Sequence, residues 1–335
     1  MSGMNSKQYY NHPQLPLTHF TFRFTTEQPA ALPTFPGSAW RGALGHALKK
    51  TVCVVRNTPC SECLLKTSCA YSYIFETPPP DNAEKMRKYN AAPHPFVLRM
   101  PVADTAGQRH YPLQMLLFGH GQRFFPYLVH ALRKAGSDGI GARRQVFTLQ
   151  QIQQLSPHGA TTSVYSQGRL EELQPAQSPT IPAMPEAITV RFHTPLRIKQ
   201  NGKNLTPDNF TFAALFGNLL RRISLLTYFH TDTPLDTDFA GLMQRAREIA
   251  IGAETLHWYD WKRYSSRQQT EMHMGGLLGT IHLNLNSMED FWPYLWLGQW
   301  THAGKATSMG LGAYSIEAAS LPETAGEELA DTMSP

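Results

Sequence analysis

His19-Phe20-Thr21-Phe22-Arg23-Phe24 alternates as a strand does, and a Pro-broken loop leads from it into Ala43-Leu44-Gly45-His46-Ala47-Leu48-Lys49-Lys50. About 170 residues later the pattern returns, at a spacing far beyond the 20 to 50 residues of solenoid repeats. Ile188-Thr189-Val190-Arg191-Phe192-His193 is followed by Leu215-Phe216-Gly217-Asn218-Leu219-Leu220-Arg221-Arg222. Each half then closes on glycines and a strand. The first closure is Gly136-Ser137-Asp138-Gly139-Ile140-Gly141 before Val146-Phe147-Thr148-Leu149. The second is Gly304-Lys305-Ala306-Thr307-Ser308-Met309-Gly310-Leu311-Gly312 before Tyr314-Ser315-Ile316. The chain therefore reads as two whole domains of one plan.

The plan fills in between these marks. In the first half, residues 17–25 read as a strand and a helix starts near Ser38, an apt N-cap. Residues 111–119 read as a strand, 123–134 as a helix, and 162–164 with 169–170 as a hairpin. The second half gives a strand at 187–194, a helix at 209–228, a strand at 280–285 and a helix at 288–299. Each half is βαββαβ-like, so the fold class is α+β, two ferredoxin-like domains in tandem. The expected boundaries are a flexible tail at 1–15, domains at 16–170 and 186–320, a linker at 171–185 and an acidic disordered tail at 321–335.

A chain of 335 residues, 41 % hydrophobic and 11 % aromatic, has material for two cores. The first residues lack an apolar signal segment, and the apolar run near 291–300 is too short to cross a bilayer, so a cytoplasmic protein without a membrane partner is expected. Charge is uneven. Residues 1–170 carry 18 Lys/Arg against 7 Asp/Glu, and residues 171–335 carry 12 against 18. A first half this basic suits a polyanion, because phosphates neutralised by Lys and Arg release counterions.

Four features carry chemistry. Gly304, Gly310 and Gly312, with His302 and Lys305, make a loop whose amides could approach a phosphate, although an isolated glycine turn is equally a tight connection. Cys53, Cys60, Cys63 and Cys69 are all the cysteines in the chain, and their spacing suits a four-thiolate structural Zn2+; an iron–sulfur cluster or unligated thiols use the same residues. Trp261-Lys262-Arg263-Tyr264-Ser265-Ser266-Arg267 interleaves cations with aromatic rings, as base-stacking surfaces do and as exposed strands also do. His46 shares a helix with Lys49 and Lys50, a pattern that serves proton transfer beside a phosphate or an ordinary solvated face.

Together these segments resemble the CRISPR-associated precursor-crRNA processing endoribonucleases of the RAMP superfamily, over residues 19–316. The resemblance rests on Arg41-Gly42-Ala43-Leu44-Gly45, on the cysteines followed by Tyr71-Ser72-Tyr73-Ile74-Phe75-Glu76, and on Thr194-Pro195-Leu196-Arg197-Ile198-Lys199. It rests also on Arg221-Arg222-Ile223-Ser224, Arg263-Tyr264-Ser265 and His302-Ala303-Gly304-Lys305 leading to Gly310-Leu311-Gly312. It implies binding of CRISPR repeat RNA and one cut per repeat of precursor crRNA, with no catalytic cofactor. In that chemistry the ribose 2′-hydroxyl attacks, leaving a 2′,3′-cyclic phosphate and a 5′-hydroxyl. The implied catalytic candidates are His46 with Lys49 and Lys50, then His302. The implied RNA contacts are Arg41, Arg143, Arg144, Arg221, Arg222, Arg263, Tyr264, Arg267, Gly304, Lys305, Gly310 and Gly312. The alternatives are a non-catalytic guide-RNA-binding subunit, partnered by other CRISPR effector subunits, and a zinc-stabilised protein-interaction module.

Overall fold

The computed structural model describes residues 12–80, 83, 85, 91–100, 107–157, 159–265 and 270–319. The first half contains strand β1 (Leu17–Thr25), helix α1 (Gly37–Val52), β2 (Phe96–Arg99), β3 (His110–Phe118), α2 (Phe125–Asp138) and β4 (Thr148–Leu155). Strands β5 (Thr161–Ser166) and β6 (Arg169–Leu170) extend it, giving an antiparallel sheet in the order β2-β3-β1-β4-β5-β6. The second half contains β7 (Ala187–Leu196), a hairpin of β8 (Lys199–Gln200) and β9 (Lys203–Asn204), α3 (Phe212–His230) and α4 (Phe239–Ala246). It continues with β10 (His257–Tyr259), a hairpin of β11 (Lys262–Ser265) and β12 (Thr270–His273), β13 (Gly276–Asn284), α5 (Trp292–Thr301) and β14 (Tyr314–Ala318). Its sheet runs β10-β13-β7-β14. The two orders match: in each half the first strand is central, flanked by the third and fourth of the βαββαβ unit. This is the tandem ferredoxin-like architecture.

The alternation in β1 has a direct physical outcome. Phe20, Phe22 and Phe24 point to the helix side, where Phe20 stacks on Phe125 at 3.9 Å and Phe24 meets Trp40 at 4.7 Å. On the opposite side Leu17, Val97, Leu116 and Phe118 join the apolar core of the second half. The two halves thus share packing across their junction, which fixes what lies between them.

Element ends differ from the sequence expectation for local reasons. α1 begins at Gly37 after Pro36, with no side-chain cap, and not with Ser38 as cap; an added Cβ at Gly37 would strike the Met309 carbonyl. α2 begins at Phe125 because residues 119–124 form a 3-10 turn. α3 begins at Phe212, capped by Thr211, whose hydroxyl accepts from the Ala214 amide at 3.2 Å, and Thr206 and Asn209 close a separate capping box before it. α5 begins at Trp292 with Pro293 in its first turn. Gly136 lies inside α2, so the first glycine turn shrinks to Gly139 and Gly141. None of β2, α4, β10 or the small hairpins at residues 199–204 and 262–273 is marked by clear periodicity in the sequence.

Candidate nucleic-acid site between the two halves

The C-terminal glycine loop is held by both halves. Thr194 on β7 donates its hydroxyl to the Gly310 carbonyl at 2.8 Å, and the Gly312 amide donates to the Pro195 carbonyl at 3.1 Å. Gly310 has φ +88, and a Cβ there would come within 2.7 Å of the Leu98 carbonyl on β2. Glycine is therefore required where this loop meets the first half. The amides of Gly304, Lys305 and Gly310 donate to Asn218, Arg197 and Thr307 respectively. The glycine amides are committed to protein acceptors, so the loop is a braced wall where the sequence suggested a backbone phosphate nest.

Against this wall opens a cavity of about 470 Å³, lined by Arg41 of α1, Pro93 and His94 before β2, Asn218, Arg221 and Arg222 of α3, and Gly304, Thr307 and Ser308 of the loop. Among the described residues its lining holds three guanidinium groups and no carboxylate. Arg41 donates through Nε to the Ser308 hydroxyl and through Nη2 to His94 Nε2, each at 2.9 Å, with its guanidinium 5.2 Å from the Phe75 ring centre. A guanidinium only donates, so His94 Nε2 is the acceptor and the ring proton sits on Nδ1, 3.0 Å from Thr77 Oγ1. Burial, then the charges of Arg41 and Arg222 and the neighbouring His230, push the His94 pKa down to about 3. The ring is neutral at pH 7.

Arg222 donates Nε to the Thr301 carbonyl at 2.7 Å, while its Nη2 is buried without a hydrogen-bond partner. Burial lowers its pKa to about 9, which leaves it charged at neutral pH. A buried cationic nitrogen with an unmet donor is costly alone and favourable once an anion arrives. Behind the cavity, His230 donates Nε2 to the Pro93 carbonyl at 2.7 Å and has Nδ1 3.0 Å from the Tyr73 hydroxyl, tying α3 to the segment that carries His94.

Of the residues singled out in the sequence, the structure gathers Arg41, Arg221, Arg222 and Gly304 at this cavity, and Lys305 stands exposed beside it. His302 is fully buried under the loop, its Nδ1 donating to the Leu311 carbonyl at 3.2 Å, its Nε2 unpartnered, and its pKa well below the usual range through burial. His46, Lys49 and Lys50 are exposed on α1 and absent from the lining. Five residues along a helix turn about 140° net, so His46 faces away from the Arg41 side. Arg143 and Arg144 lie on the exposed turn before β4. Arg263 is half-buried on β11, while the Tyr264 side chain and Arg267 lie outside the described residues. Cys53, Cys60, Cys63 and Cys69 are free, part-exposed thiols. Among the described residues no group of three or more His, Cys, Asp or Glu is placed to share a metal ion, while Cys60 lies near enough to Cys53 and Cys69 to feel their charge.

His94, Asn218 and Ser308 had no signal in the sequence strong enough to single them out as contacts. Pro93-His94-Pro95 announces extended backbone and nothing about chemistry.

Residues 190–314 match the family model of the CRISPR-associated endoribonuclease Cas6. That model covers 125 of the 335 residues, all in the second half of the chain. Residues 15–178 match a separate model described as an N-terminal domain (AF_1859_N). An uncharacterized protein of Archaeoglobus fulgidus is 23 % identical over 298 residues, spanning 85 % of this chain and 92 % of its own. A Thermus thermophilus Cas6 product complex has the same fold, with TM-score 0.55 at 15 % identity over 90 % of this chain and 99 % of that one. A partial Cas6-RT-Cas1–Cas2 complex matches with TM-score 0.55 at 16 % identity, over 92 % of this chain and 47 % of that one. The Cas6 match falls on the half that supplies α3 and the glycine loop, two of the cavity's walls. No helix among the described residues is long and apolar enough to cross a membrane.

Proposed function

We propose that this protein binds CRISPR repeat RNA and cuts precursor crRNA once per repeat, with a strand of the RNA held in the cleft between the two halves. The cavity, whose described lining carries no carboxylate, carries the reading together with the orphaned Arg222 Nη2: three guanidinium groups converge on a space the size of a few nucleotide groups. The match of residues 190–314 to an endoribonuclease family model supports it from the sequence side. The chemistry is attack of a ribose 2′-hydroxyl on the adjacent phosphate, with Arg41 and Arg222 stabilising the charge that develops on phosphorus oxygens. The products are a 2′,3′-cyclic phosphate and a 5′-hydroxyl, and no metal takes part. The exposed His46, Lys49 and Lys50 belong to an outer track for flanking RNA, joined by Arg143, Arg144, Arg263 and Lys305.

Purified protein incubated with repeat RNA, with and without EDTA, tests this directly. One cut per repeat with a 5′-hydroxyl end in both conditions is expected. RNA bound tightly but left intact would instead identify a guide-RNA-binding subunit, and activity abolished by EDTA would remove the metal-free mechanism.

A further inference from the structure

We propose that His94 is the proton acceptor for the attacking 2′-hydroxyl, and that Arg41 releases it by moving from the ring nitrogen to a phosphate oxygen. The inference deepens the endoribonuclease reading and rests on it. Three observations meet at this residue. His94 lines the cavity, whereas His302 is sealed under the loop and His46 is on another face of α1. Its ring is fixed on both nitrogens, Nδ1 against Thr77 Oγ1 at 3.0 Å and Nε2 against Arg41 at 2.9 Å, so the lone pair of Nε2 is aimed at the arginine that a phosphate would attract. Thr77 itself holds φ +46, an uncommon conformation for a β-branched residue, and its carbonyl is anchored by the Ala92 amide at 2.8 Å. The fold maintains a strained residue where it orients this ring.

The step balances as follows. The 2′-oxygen forms its bond to phosphorus while its proton passes to His94 Nε2. The bond from phosphorus to the 5′-oxygen breaks, and that oxygen takes a proton from water at the cavity mouth. His94 then returns its proton to solvent, so neither water nor cofactor is consumed overall. The charged and titratable groups facing His94 are Arg41 from α1, and Arg222 and His230 from α3. In the free protein burial, and then the two arginines, hold the ring neutral. A bound phosphodiester offsets their charge and makes the ring a stronger base.

The test compares His94→Ala with wild type in single-turnover cleavage of repeat RNA, beside RNA affinity and thermal melting. Cleavage is expected to fall by about 10² to 10⁴-fold, as for loss of a general base. RNA affinity is expected to stay within about threefold, and added imidazole to restore at least about tenfold of the lost rate by filling the vacated space. Loss without imidazole rescue overturns the proton role, since a prop for Arg41 would not be replaced by a free base. His94→Ala cutting at the wild-type rate, or the loss appearing in His46→Ala instead, also overturns it while leaving the endoribonuclease reading intact. Should His94→Ala melt early, the wild-type pH–rate profile decides. A rate that rises with pH to a plateau, with a midpoint above the free ring's value of about 3, supports the acceptor, and a rate that falls as pH rises or stays level from about pH 3.5 to 8 overturns it. Wild-type protein that leaves every repeat RNA whole overturns both readings.

Discussion

The exposed ridge of α1 and the cleft between the halves hold the same kinds of residue in opposite settings. His46, Lys49 and Lys50 stand in water, where counterions and high dielectric weaken each charge. Arg41, His94 and Arg222 sit where burial has already shifted the histidine and left one guanidinium nitrogen unmatched. The difference teaches that a cationic helix face attracts RNA, whereas chemistry needs cations and an acceptor brought out of solvent before the substrate comes. The ridge is one segment of sequence. The cleft exists only because four segments meet.

Breaking the cleft is expected to have the largest effect. Arg222→Met removes the unmatched donor while keeping most of the packing, and single-turnover cleavage should fall by about 10² to 10³-fold, measured with saturating protein. A change under tenfold would show that the nitrogen does not meet the reacting phosphate.

Acid should separate the two regions next. His19 and His230 have pKa values lowered to about 4 and His94 to about 3, chiefly by burial. Below about pH 6.5 the unfolded chain takes up protons that the folded protein does not, so stability is complete above that value and declines as pH falls towards 4. Each such histidine contributes at most about 1.4 kcal/mol per pH unit. Melting temperature should therefore drop steadily from pH 6.5 to 4.5, and a flat profile would mean that these rings are more solvated than their geometry indicates.

On the ridge, the triple change His46→Ala, Lys49→Ala, Lys50→Ala should weaken RNA binding and reduce the slope of log affinity against log salt by about 1 to 2, with cleavage of bound RNA within about threefold of wild type. A hundredfold loss of cleavage with unchanged salt slope would exchange the roles of the two regions. The smallest effect belongs to Ser308→Ala, which removes one of Arg41's anchors and should slow cleavage by only about two- to fivefold, since a single neutral partner contributes about 1 kcal/mol.

The fold was legible where the period of the side chains is strong. β1 was expected at residues 17–25 and spans Leu17–Thr25, because three phenylalanines at spacing two have one way to reach a core. β2 was not, since four residues after Pro95, buried on both sides, show no alternation. The duplication was legible because both copies keep the same first strand and helix. The site was half legible: arginines near helix starts and ends, and glycines before a last strand, are visible as local patterns. His94 was not, because its meaning comes from Arg41, Thr77 and Arg222, which lie far from it in the chain or on other elements. The cysteine spacing is plain in the sequence, and the structure shows four free, part-exposed thiols with Cys60 near enough to feel Cys53 and Cys69.

The most direct test of the central claim is to place one photoreactive 4-thiouridine beside the cleavage site of a repeat RNA, cross-link it to the protein, and map the attached peptide by mass spectrometry. The account predicts adducts within residues 91–94, 218–222 and 304–309. Adducts confined to residues 46–50 would contradict it and move the reacting phosphate onto the outer face of α1.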